Sequence, residues 1–306
     1  MKLYSSLKEL PSDVEYGLTI GNFDGVHLGH QYLIGEIKKK CEERGLAPLL
    51  LTFTPHPLAV LKGKKNFLVS DYNEKLSLLS KYGFEYIVEL PFDRDFSNLS
   101  PDDFLKNYIS NKNIKSIFLG HDFSFGANKV GNHDYVYNYF KNSDVTVDTL
   151  EQFKCSNRSY SSTKVRELLS TGNVSEIPSV LGRHYVIQGH VKKGDGRGKG
   201  LGFATANIDF PGEKHLPKRG VYITQTFIDD NRYKSLTNIG HNPTFKLRED
   251  EIFVETHILN YERNLYGEKI NIEFLDKIRD EIKFENAEDL IKQISQDVKA
   301  RLDFND

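Results

Sequence analysis

Two histidines stand three residues apart at the end of a glycine-rich stretch near the start of the chain. Residues 21–30 read Gly-Asn-Phe-Asp-Gly-Val-His-Leu-Gly-His, with His27 and His30 at the end. The stretch follows the apolar run 16–20 and precedes a segment patterned as a helix over 28–44. A turn from a strand into a helix presents free backbone N–H groups and the positive end of the helix dipole, so it suits a phosphate group. Both rings can share one face of the first helical turn, donate hydrogen bonds to phosphate oxygens and stabilise a phosphoryl group in transfer.

Two other interpretations of the histidine pair stay open on these residues alone. A zinc site needs three or four ligands, and no cysteine or second histidine pair stands nearby in the sequence. The pair can also consist of ordinary surface or core histidines. The complete run of glycines, aspartate and histidines is therefore more informative than the two rings.

Two further loops follow short apolar runs and combine aromatic with polar side chains. One loop, 53–57, contains two prolines after the run 46–53, and the other, 120–126, has glycines on both sides of an Asp and two Phe residues. Phenylalanine faces can pack on a flat apolar ring, and a carboxylate can accept a hydrogen bond from the polar edge of that ring. A turn with two core phenylalanines is the alternative for the second loop. The candidate residues are Phe53, Pro55, His56, Pro57, Asp122, Phe123 and Phe125.

A second candidate phosphate cradle lies at the start of a later helix. Hydroxyl residues, among them Ser162 and Thr163, precede an amphipathic segment that stops at Gly172. Lys164 and Arg166 add positive charge one turn into the helix, where free N–H groups already favour an anion. Ordinary helix capping by the hydroxyls is the alternative, and Arg166 favours the phosphate interpretation over it.

The second half contains a run in which five glycines alternate with other residues. The run lacks the spacing of a Walker P-loop, and no helix follows it as a dinucleotide fingerprint requires. A flexible linker is the alternative, but backbone N–H groups in such a loop can wrap around phosphates. The candidate phosphate-contacting residues are Gly194, Gly196, Arg197, Gly198, Lys199, Gly200 and Gly202.

Three polar side chains downstream of this run can supply oxygen chemistry. Thr205 and Asn207 alternate, so on an extended segment they point to one face, and a hydroxyl and an amide oxygen suit Mg²⁺. Glu255 stands inside an apolar strand, where a buried carboxylate can act as general base for a hydroxyl nucleophile. A solvent-facing glutamate on an alternating strand is the alternative.

The elements that must position these residues differ between the two halves. In the first half, short apolar runs alternate with helical segments, which predicts a parallel α/β sheet. In the second half, strand-like segments follow one another through turns, which predicts an antiparallel barrel. A final helix carries Leu290, Ile294, Val298 and Leu302 at every fourth position, and we expect this stripe to pack on the barrel. The pattern changes at about residue 182.

Composition narrows the class of protein. The chain has 306 residues, enough for two domains, and a net charge of −2, which does not indicate nucleic-acid binding by the whole chain. The two cysteines, Cys41 and Cys155, lack metal-type spacing and fit free thiols in a reducing compartment. No signal-peptide core or membrane-spanning run is present. We therefore expect a cytoplasmic protein without a membrane or nucleic-acid partner.

The order of these motifs resembles the bacterial bifunctional riboflavin kinase/FMN adenylyltransferases, also called FAD synthetases. Residues 1–182 resemble the adenylyltransferase module, with H-x-G-H, T-F-x-P-H-P, G-x-D-F-x-F-G and S-S-T-x-V-R in order. Residues 183–306 resemble the riboflavin kinase module, with A-T-A-N at 204–207, N-I-G-x-x-P-T-F at 238–245 and V-E-x-H-I at 254–258. Tyr-Gly and R-x-E-x-x-F patterns follow. Ala204 stands where the family usually has proline, which puts the rigidity of that loop in doubt.

The resemblance implies a Rossmann-like nucleotidyltransferase domain and a six-stranded antiparallel β-barrel with a closing C-terminal helix. It implies phosphorylation of riboflavin to FMN and then adenylyl transfer from ATP to FMN, giving FAD. The expected ligands are small molecules and Mg²⁺. Weak self-association of the chain is compatible with the resemblance. Two alternatives stay open: one module alone is active, or the chain is a flavin- or nucleotide-binding regulator without turnover.

The family motifs also assign roles residue by residue. His27 and His30 would act in adenylyl transfer, the loops at 53–57 and 122–125 would line the flavin side, and the glycine-rich run would bind the ATP of the kinase. Thr205 and Asn207 would bind Mg²⁺–ATP, Glu255 would accept the proton of the ribityl hydroxyl, and Arg279 and Glu281 would lie on the riboflavin side. The residues expected to hold ATP in the adenylyltransferase module are Gly21, Asn22, Phe23, Gly25, His27, His30, Ser162, Thr163 and Arg166.

Overall fold

The chain divides into two compact units, Met1–Ser162 and Thr163–Asp306. We analysed a computed structural model, which describes residues 1–111, 113–151, 153, 159–194, 203–210, 212–229, 231–241 and 252–305. No helix among these residues is long and apolar enough to cross a membrane.

The first unit is built on a six-stranded sheet. Its strand order is β1-β4-β3-β2-β5-β6, and every neighbouring pair is parallel, as the alternation of strands and helices predicted. The strands are β1 (Lys2–Tyr4), β2 (Tyr16–Ile20), β3 (Ala47–Thr54), β4 (Tyr86–Pro91), β5 (Ile114–Gly120) and β6 (Thr146–Leu150).

Both faces of this sheet are buried, which explains the uninterrupted apolar runs in its strands. On β3, Leu49 and Leu51 belong to one hydrophobic core and Leu50 belongs to the other. Successive side chains of a strand point to opposite faces, so a strand between two layers needs apolar residues at every position. Every residue of β2 is buried.

Helices cover the sheet, and the first of them begins and ends where the sequence predicted. Gly45 ends α1 in the left-handed conformation at φ +68°, and its N–H donates to the carbonyls of Cys41 and Glu42. The helices are α1 (Leu28–Arg44), α2 (Pro57–Lys62), α3 (Tyr72–Tyr82), α4 (Arg94–Ser97), α5 (Pro101–Phe104) and α6 (His133–Phe140).

The helical segment that begins at α5 changes its winding after Phe104. Only α5 is α-helical, and Leu105–Ile109 continues as a π-helix. The N–H of Ser110 donates to the carbonyl of Leu105, five residues earlier, at 2.8 Å. An apolar period of about 3.6 does not distinguish this wider turn from an α-helix.

The second unit is a closed antiparallel barrel. Its strand order is β10-β11-β8-β7-β12-β9, which agrees with the six-stranded barrel expected from the family resemblance. The strands are β7 (Tyr185–Lys192), β8 (Ala206–Asp209), β9 (Gly220–Ile228), β10 (Asn231–His241), β11 (Ile252–Ile258) and β12 (Lys269–Arg279).

Helices α7 (Ser162–Thr171) and α8 (Pro178–Leu181) precede the barrel, and α9 (Ala287–Asp303) ends it. The N–H of Lys218 donates to the carbonyl of Leu169 at 2.8 Å, which joins α7 to the barrel unit. The compact units therefore divide about twenty residues before 182/183, the boundary predicted from the motifs. That boundary of function stays a prediction.

The predicted apolar stripe describes the packing face of α9 only in part, since Leu290, Ile294 and Val298 are half-buried. Leu302 is 53% exposed, whereas Asp297 and Arg301 are buried. Arg301 Nε donates to the carbonyl of Thr224 at 2.9 Å. The helix thus contacts the barrel partly through charged residues that are paired or hydrogen-bonded, which an apolar period cannot reveal.

Candidate active sites

The two histidines of the glycine-rich stretch meet at the first turn of α1. His27 caps the helix, and its Nδ1 accepts a hydrogen bond from the backbone N–H of His30 at 3.3 Å. The two rings stack with centroids 3.6 Å apart and planes inclined by 21°. The predicted pairing of the rings on one face of the helix start is therefore present.

His30 is held in its neutral form. Burial lowers the pKa of His30 well below the usual value, and the neighbouring His27 lowers it further. Its Nδ1 is buried and has no hydrogen-bond partner among the described residues. A neutral imidazole whose Nδ1 lacks a partner among the described residues can contact a ligand without placing a positive charge beside the His27 ring.

Asp24 fixes the loop that leads to these rings, a role that sequence reasoning did not assign. Its Oδ1 accepts the backbone N–H groups of Val69 at 2.9 Å and Ser70 at 3.2 Å. The N–H of Gly25 donates to the hydroxyl of Ser70 at 3.0 Å. Asp24 is only 5% exposed, so these bonds are protected from water. An acidic residue inside an apolar, glycine-bounded turn was the available signal.

The loop backbone is strained at residues that are not glycine. Phe23 has φ +49° and Val26 has φ +39°, beside Gly25 at φ +78°. Such conformations persist at functional sites where the surroundings hold them. A Cβ on Gly21 would lie 2.8 Å from the Phe23 ring, so glycine lets this ring pack down, and the same ring lies 4.8 Å from that of His30.

The other residues predicted to contact phosphate differ in hydrogen bonding, in burial and in the compact unit to which they belong. Asn22 has a buried Oδ1 without a hydrogen-bond partner in the described chain, so it can take a ligand. Ser162 donates its hydroxyl to the carbonyl of Asp24 at 2.8 Å and thus holds the loop. Thr163 is exposed, Arg166 is half-buried, and both belong to the second compact unit.

The proline-containing loop follows β3. The Thr54–Pro55 peptide bond is cis, and Pro57 opens α2. His56 caps that helix, since its Nδ1 accepts the N–H of Leu58 at 3.1 Å. Phe53 packs edge-to-face on Phe96 with ring centroids 5.6 Å apart.

The predicted loop after β5 joins the same aromatic cluster. The rings of Phe123 and Phe125 stack with their centroids 5.3 Å apart. The Phe125 centroid lies 5.2 Å from that of Phe104, which lies 6.0 Å from that of Phe96. Asp122 projects to solvent with 84% of its side chain exposed. The candidate flavin-side phenylalanines of the two loops therefore belong to one aromatic cluster, which is partly buried against the hydrophobic core and has the exposed Asp122 carboxylate beside it.

His133 holds the base of this second loop and was not predicted. Its Nε2 lies 2.7 Å from the carbonyl oxygen of Gly120, and its Nδ1 lies 3.0 Å from the hydroxyl of Thr149. A carbonyl only accepts, so Nε2 carries the hydrogen, and in the neutral ring Thr149 donates to Nδ1. The ring thus ties the end of β5 to β6.

The three loops come together because of the sheet topology. From central β2 the chain proceeds to β3 on one side and later to β5 on the other side. Open α/β sheets bind ligands at the carboxyl ends of the strands where the order reverses in this way. The loops after β2, β3 and β5 all lie at that edge.

A second constellation lies on the barrel. Asn207 on β8 stands directly opposite Glu255 on β11, and the hydroxyl of Thr205 donates to Glu255 Oε1. The three residues predicted for metal binding and base catalysis are therefore neighbours. A Cβ on Gly194 would lie 2.0 Å from Asn207 Nδ2, so the Asn207 amide would have to move if residue 194 carried a side chain.

The loop at Ala204 is held through its backbone. His257 Nδ1 lies 2.7 Å from the carbonyl oxygen of Ala204, so this nitrogen carries the hydrogen. The contact does not depend on the side chain at 204. Alanine in place of the family's usual proline thus keeps this anchor.

The two predicted riboflavin-side residues have different surroundings. Arg279 binds Asp297 of α9, with Nε 3.1 Å from both carboxylate oxygens and Nη2 2.7 Å from Oδ2. Glu281 lies over Gly240, where an added Cβ would be 2.1 Å from Glu281 Oε1. Gly196, Arg197, Gly198, Lys199, Gly200 and Gly202 lie outside the described residues.

Comparison with known proteins finds two family matches along the chain. A family described as FAD synthetase matches residues 11–164, and one described as riboflavin kinase matches residues 181–304. A Listeria monocytogenes protein is 32% identical, with 94% of this chain and 91% of that protein covered. An Escherichia coli K12 protein is 30% identical, with 99% of this chain and 98% of that protein covered. Both are named bifunctional riboflavin kinase/FMN adenylyltransferase.

A solved structure from Streptococcus pneumoniae, described as a macrolide-efflux protein, has a similar fold. It superimposes with a TM-score of 0.88 at 28% identity and covers 99% of both chains.

Proposed function

The chain belongs to the bifunctional riboflavin kinase/FMN adenylyltransferase family, and from that premise we propose how its residues carry out the two transfers. The protein is a transferase with a FAD synthetase domain and a riboflavin kinase domain. It phosphorylates riboflavin to FMN with ATP, and it transfers the adenylyl group of a second ATP to FMN, giving FAD and pyrophosphate.

The two reactions divide between the halves of the chain. Residues 1–182 form the adenylyltransferase and residues 183–306 the kinase. The family matches at 11–164 and 181–304 support this division, although the compact units divide earlier. Residues 165–180 lie between the two matches.

In the adenylyltransferase, the phosphate of FMN attacks the α-phosphorus of ATP and pyrophosphate leaves. His27 and His30 contact the phosphates at the N-terminus of α1, together with the hydroxyl of Ser162. No covalent enzyme intermediate is needed, so positioning and charge stabilisation supply the catalysis. The observation that supports this role best is the neutral His30, whose buried Nδ1 lacks a partner among the described residues.

The flavin side of that site is the aromatic cluster formed by the loops after β3 and β5. Phe123 and Phe125 offer ring faces to the isoalloxazine ring, and Asp122 accepts a hydrogen bond from its polar edge. Phe53, Pro55 and Pro57 contribute to the same side from the loop after β3. The nitrogen of His56 that caps α2 is occupied, so this residue acts by holding the loop.

In the kinase, Glu255 is the general base. It accepts the proton of the ribityl 5′-hydroxyl, whose oxygen attacks the γ-phosphorus of ATP, and ADP leaves. Its position beside Thr205 and opposite Asn207 supports this role.

The oxygen atoms near Glu255 fit Mg²⁺. Thr205 donates its hydrogen to Glu255, which leaves lone pairs of the hydroxyl oxygen for a hard cation. Because Gly194 has no side chain, the Asn207 amide can lie against the backbone at that position. Thr205 and Asn207 would hold the ion, and bound Mg²⁺ would neutralise charge on the phosphates of ATP. Localisation in the cytoplasm and small molecules as the principal ligands remain proposals from composition and family.

Paired variants test the assignment of the two sites. Glu255→Gln removes the base, so we expect FMN formation from riboflavin to fall by at least about 100-fold, as loss of a general base predicts. Conversion of supplied FMN to FAD should stay at the wild-type rate. His30→Ala should do the reverse. The products are measured by chromatography.

Three outcomes would contradict the assignment. Equal loss of both steps in Glu255→Gln would argue against separate sites. Unchanged FAD formation in His30→Ala would show that His30 has no role in adenylyl transfer. Binding of flavin and ATP with no turnover by the wild type would favour a regulatory binding protein.

A further inference from the structure

Asn238 presents a buried side-chain oxygen beside the proposed base of the kinase. It lies on β10 directly opposite Glu255, and Glu255 lies directly opposite Asn207 on β8. Directly opposed residues of antiparallel strands point to the same face, with Cβ atoms about 5 Å apart. The three side chains therefore form one row across three strands, with the carboxylate in the middle.

The oxygen of this amide has no hydrogen-bond partner in the part of the chain that the structure describes. A buried acceptor without a partner destabilises a fold, so such atoms persist mainly where a ligand or water completes them. The neighbouring Thr237 points to the other face of β10, and its hydroxyl lies 2.9 Å from those of both Thr224 and Thr256. These interior hydroxyls are thus paired with one another, whereas the oxygen beside Glu255 has no partner among the barrel residues that the structure describes.

We propose that Asn238 binds the acceptor alcohol of the kinase by accepting a hydrogen bond from the hydroxyl next to the one that reacts. This inference rests on the proposed roles of Glu255 as base and of Thr205 and Asn207 on the nucleotide side. In phosphoryl transfer the attacking and leaving oxygens are roughly in line, so the carbon chain of the acceptor leads away from the nucleotide. Asn207 is on the nucleotide side of Glu255, and Asn238 is on the opposite side.

The surroundings of Asn238 agree with this direction. Gly240 follows on the same face of β10, because side chains repeat with a period of two. The Glu281 carboxylate lies over Gly240, 2.1 Å from where a Cβ would be. Along β10, the next position on this face after Asn238 therefore lies beside Glu281, a residue assigned to the riboflavin side. The 4′-hydroxyl of the ribityl chain lies next to the reacting 5′-hydroxyl and is the donor for Asn238 Oδ1.

The consequence is specificity for a polyol over a simple primary alcohol. A substrate that lacks the 4′-hydroxyl leaves the buried oxygen unpaired, and sites built to hydrogen-bond a hydroxyl reject analogues without it.

The test compares riboflavin with 4′-deoxyriboflavin in the full-length wild type and in Asn238→Ala. We expect the wild type to phosphorylate the deoxy analogue with kcat/KM about 10- to 100-fold lower than for riboflavin. Asn238→Ala should lose a similar factor on riboflavin and little more on the analogue. The KM for ATP should be unchanged, because the nucleotide side keeps its residues.

The matched control is Asn271→Ala on β12. Asn271 Oδ1 already accepts a hydrogen bond from Gln188 Nε2 at 2.6 Å, and Asn271 is outside the row. This variant should keep the full penalty for the analogue. If Asn238→Ala does not fold, 2′-deoxyriboflavin provides a test on the wild type alone, since removal of the distant hydroxyl should change kcat/KM little.

Two results would overturn the assignment of Asn238. One is an equal penalty for the 4′-deoxy analogue in the wild type and in Asn238→Ala. The other is equal use of riboflavin and the 4′-deoxy analogue by the wild type. Neither touches the role of Glu255, which the separate variant Glu255→Gln tests.

Discussion

Several single residues near the proposed adenylyltransferase site act by holding backbone in place. Asp24, His56, His133 and Ser162 all bind loop or helix-start backbone near the proposed adenylyltransferase site. Sequence reasoning found the types and spacing of the histidines, since those follow from one helical turn. It did not find Asp24 or His133, because their partners at Val69 and Gly120 are distant in sequence or set by tertiary structure.

Asp24 provides a prediction at this scale. Asp24→Ala removes the acceptor for two buried N–H groups, so we expect FAD formation from FMN to fall by at least about tenfold, since an unpaired buried donor is costly. Asp24→Asn keeps an acceptor oxygen and should retain most of the activity. Rates of both steps by chromatography check this, with phosphorylation of riboflavin as the internal control. Equal activity of the alanine and asparagine variants would contradict the role.

His30 provides a prediction for pH. Its folded-state pKa lies well below the usual value because of burial and of His27. Below about pH 6.5 the unfolded chain binds a proton at this histidine that the folded chain does not, so stability is lost as the pH falls toward the folded pKa. The stability of the wild type relative to His30→Gln should therefore decrease from pH 7 to pH 5 in urea unfolding. A constant or rising difference would show that His30 is not held neutral.

Helices and strands position these residues partly through tertiary contacts, which the hydrophobic periodicity of the sequence does not reveal. The sequence predicted the alternation in the first half and the barrel strands in the second half from apolar patterns. It treated Thr205 to Asn207 only as an extended segment, although Ala206–Asp209 is a strand, because four residues with polar members give too short a pattern. The predicted stripe of α9 missed Asp297, whose burial depends on Arg279 at the end of β12.

The pair between Arg279 and Asp297 provides a prediction at this scale. Its side chains are 17% and 4% exposed, so Asp297→Ala leaves a largely buried guanidinium without its partner. We expect a loss of about 3 kcal/mol in barrel stability and a higher KM for riboflavin, because α9 no longer restrains the chain beside Glu281. Thermal unfolding and kinase kinetics measure the two effects.

Asp280, which pairs with both Lys277 and Lys218, is the control for that experiment. The Asp280 side chain is 64% exposed, so Asp280→Asn should leave both stability and KM unchanged within error. If Asp297→Ala behaved like Asp280→Asn, the connection between α9 and β12 would not support the kinase site.

The whole molecule consists of two compact units with different sheet types and separate candidate sites. The sequence predicted both architectures, since helices between strands favour a parallel sheet and turns between strands favour a barrel. It did not predict that residues 163–181 cluster with the barrel unit, because that depends on contacts such as the one between Lys218 and Leu169. The order of the motifs divides the chain by function, whereas contacts between residues divide it into compact units.

Product analysis of the unmodified protein tests the central claim most directly. The full chain is incubated with riboflavin, ATP and Mg²⁺, and separately with FMN, ATP and Mg²⁺, and the flavins are separated by chromatography over time. We predict FMN followed by FAD in the first reaction and FAD in the second. FMN alone in the first reaction and no FAD in the second would contradict an active adenylyltransferase at His27 and His30. FAD from supplied FMN but no product from riboflavin would contradict an active kinase at Glu255.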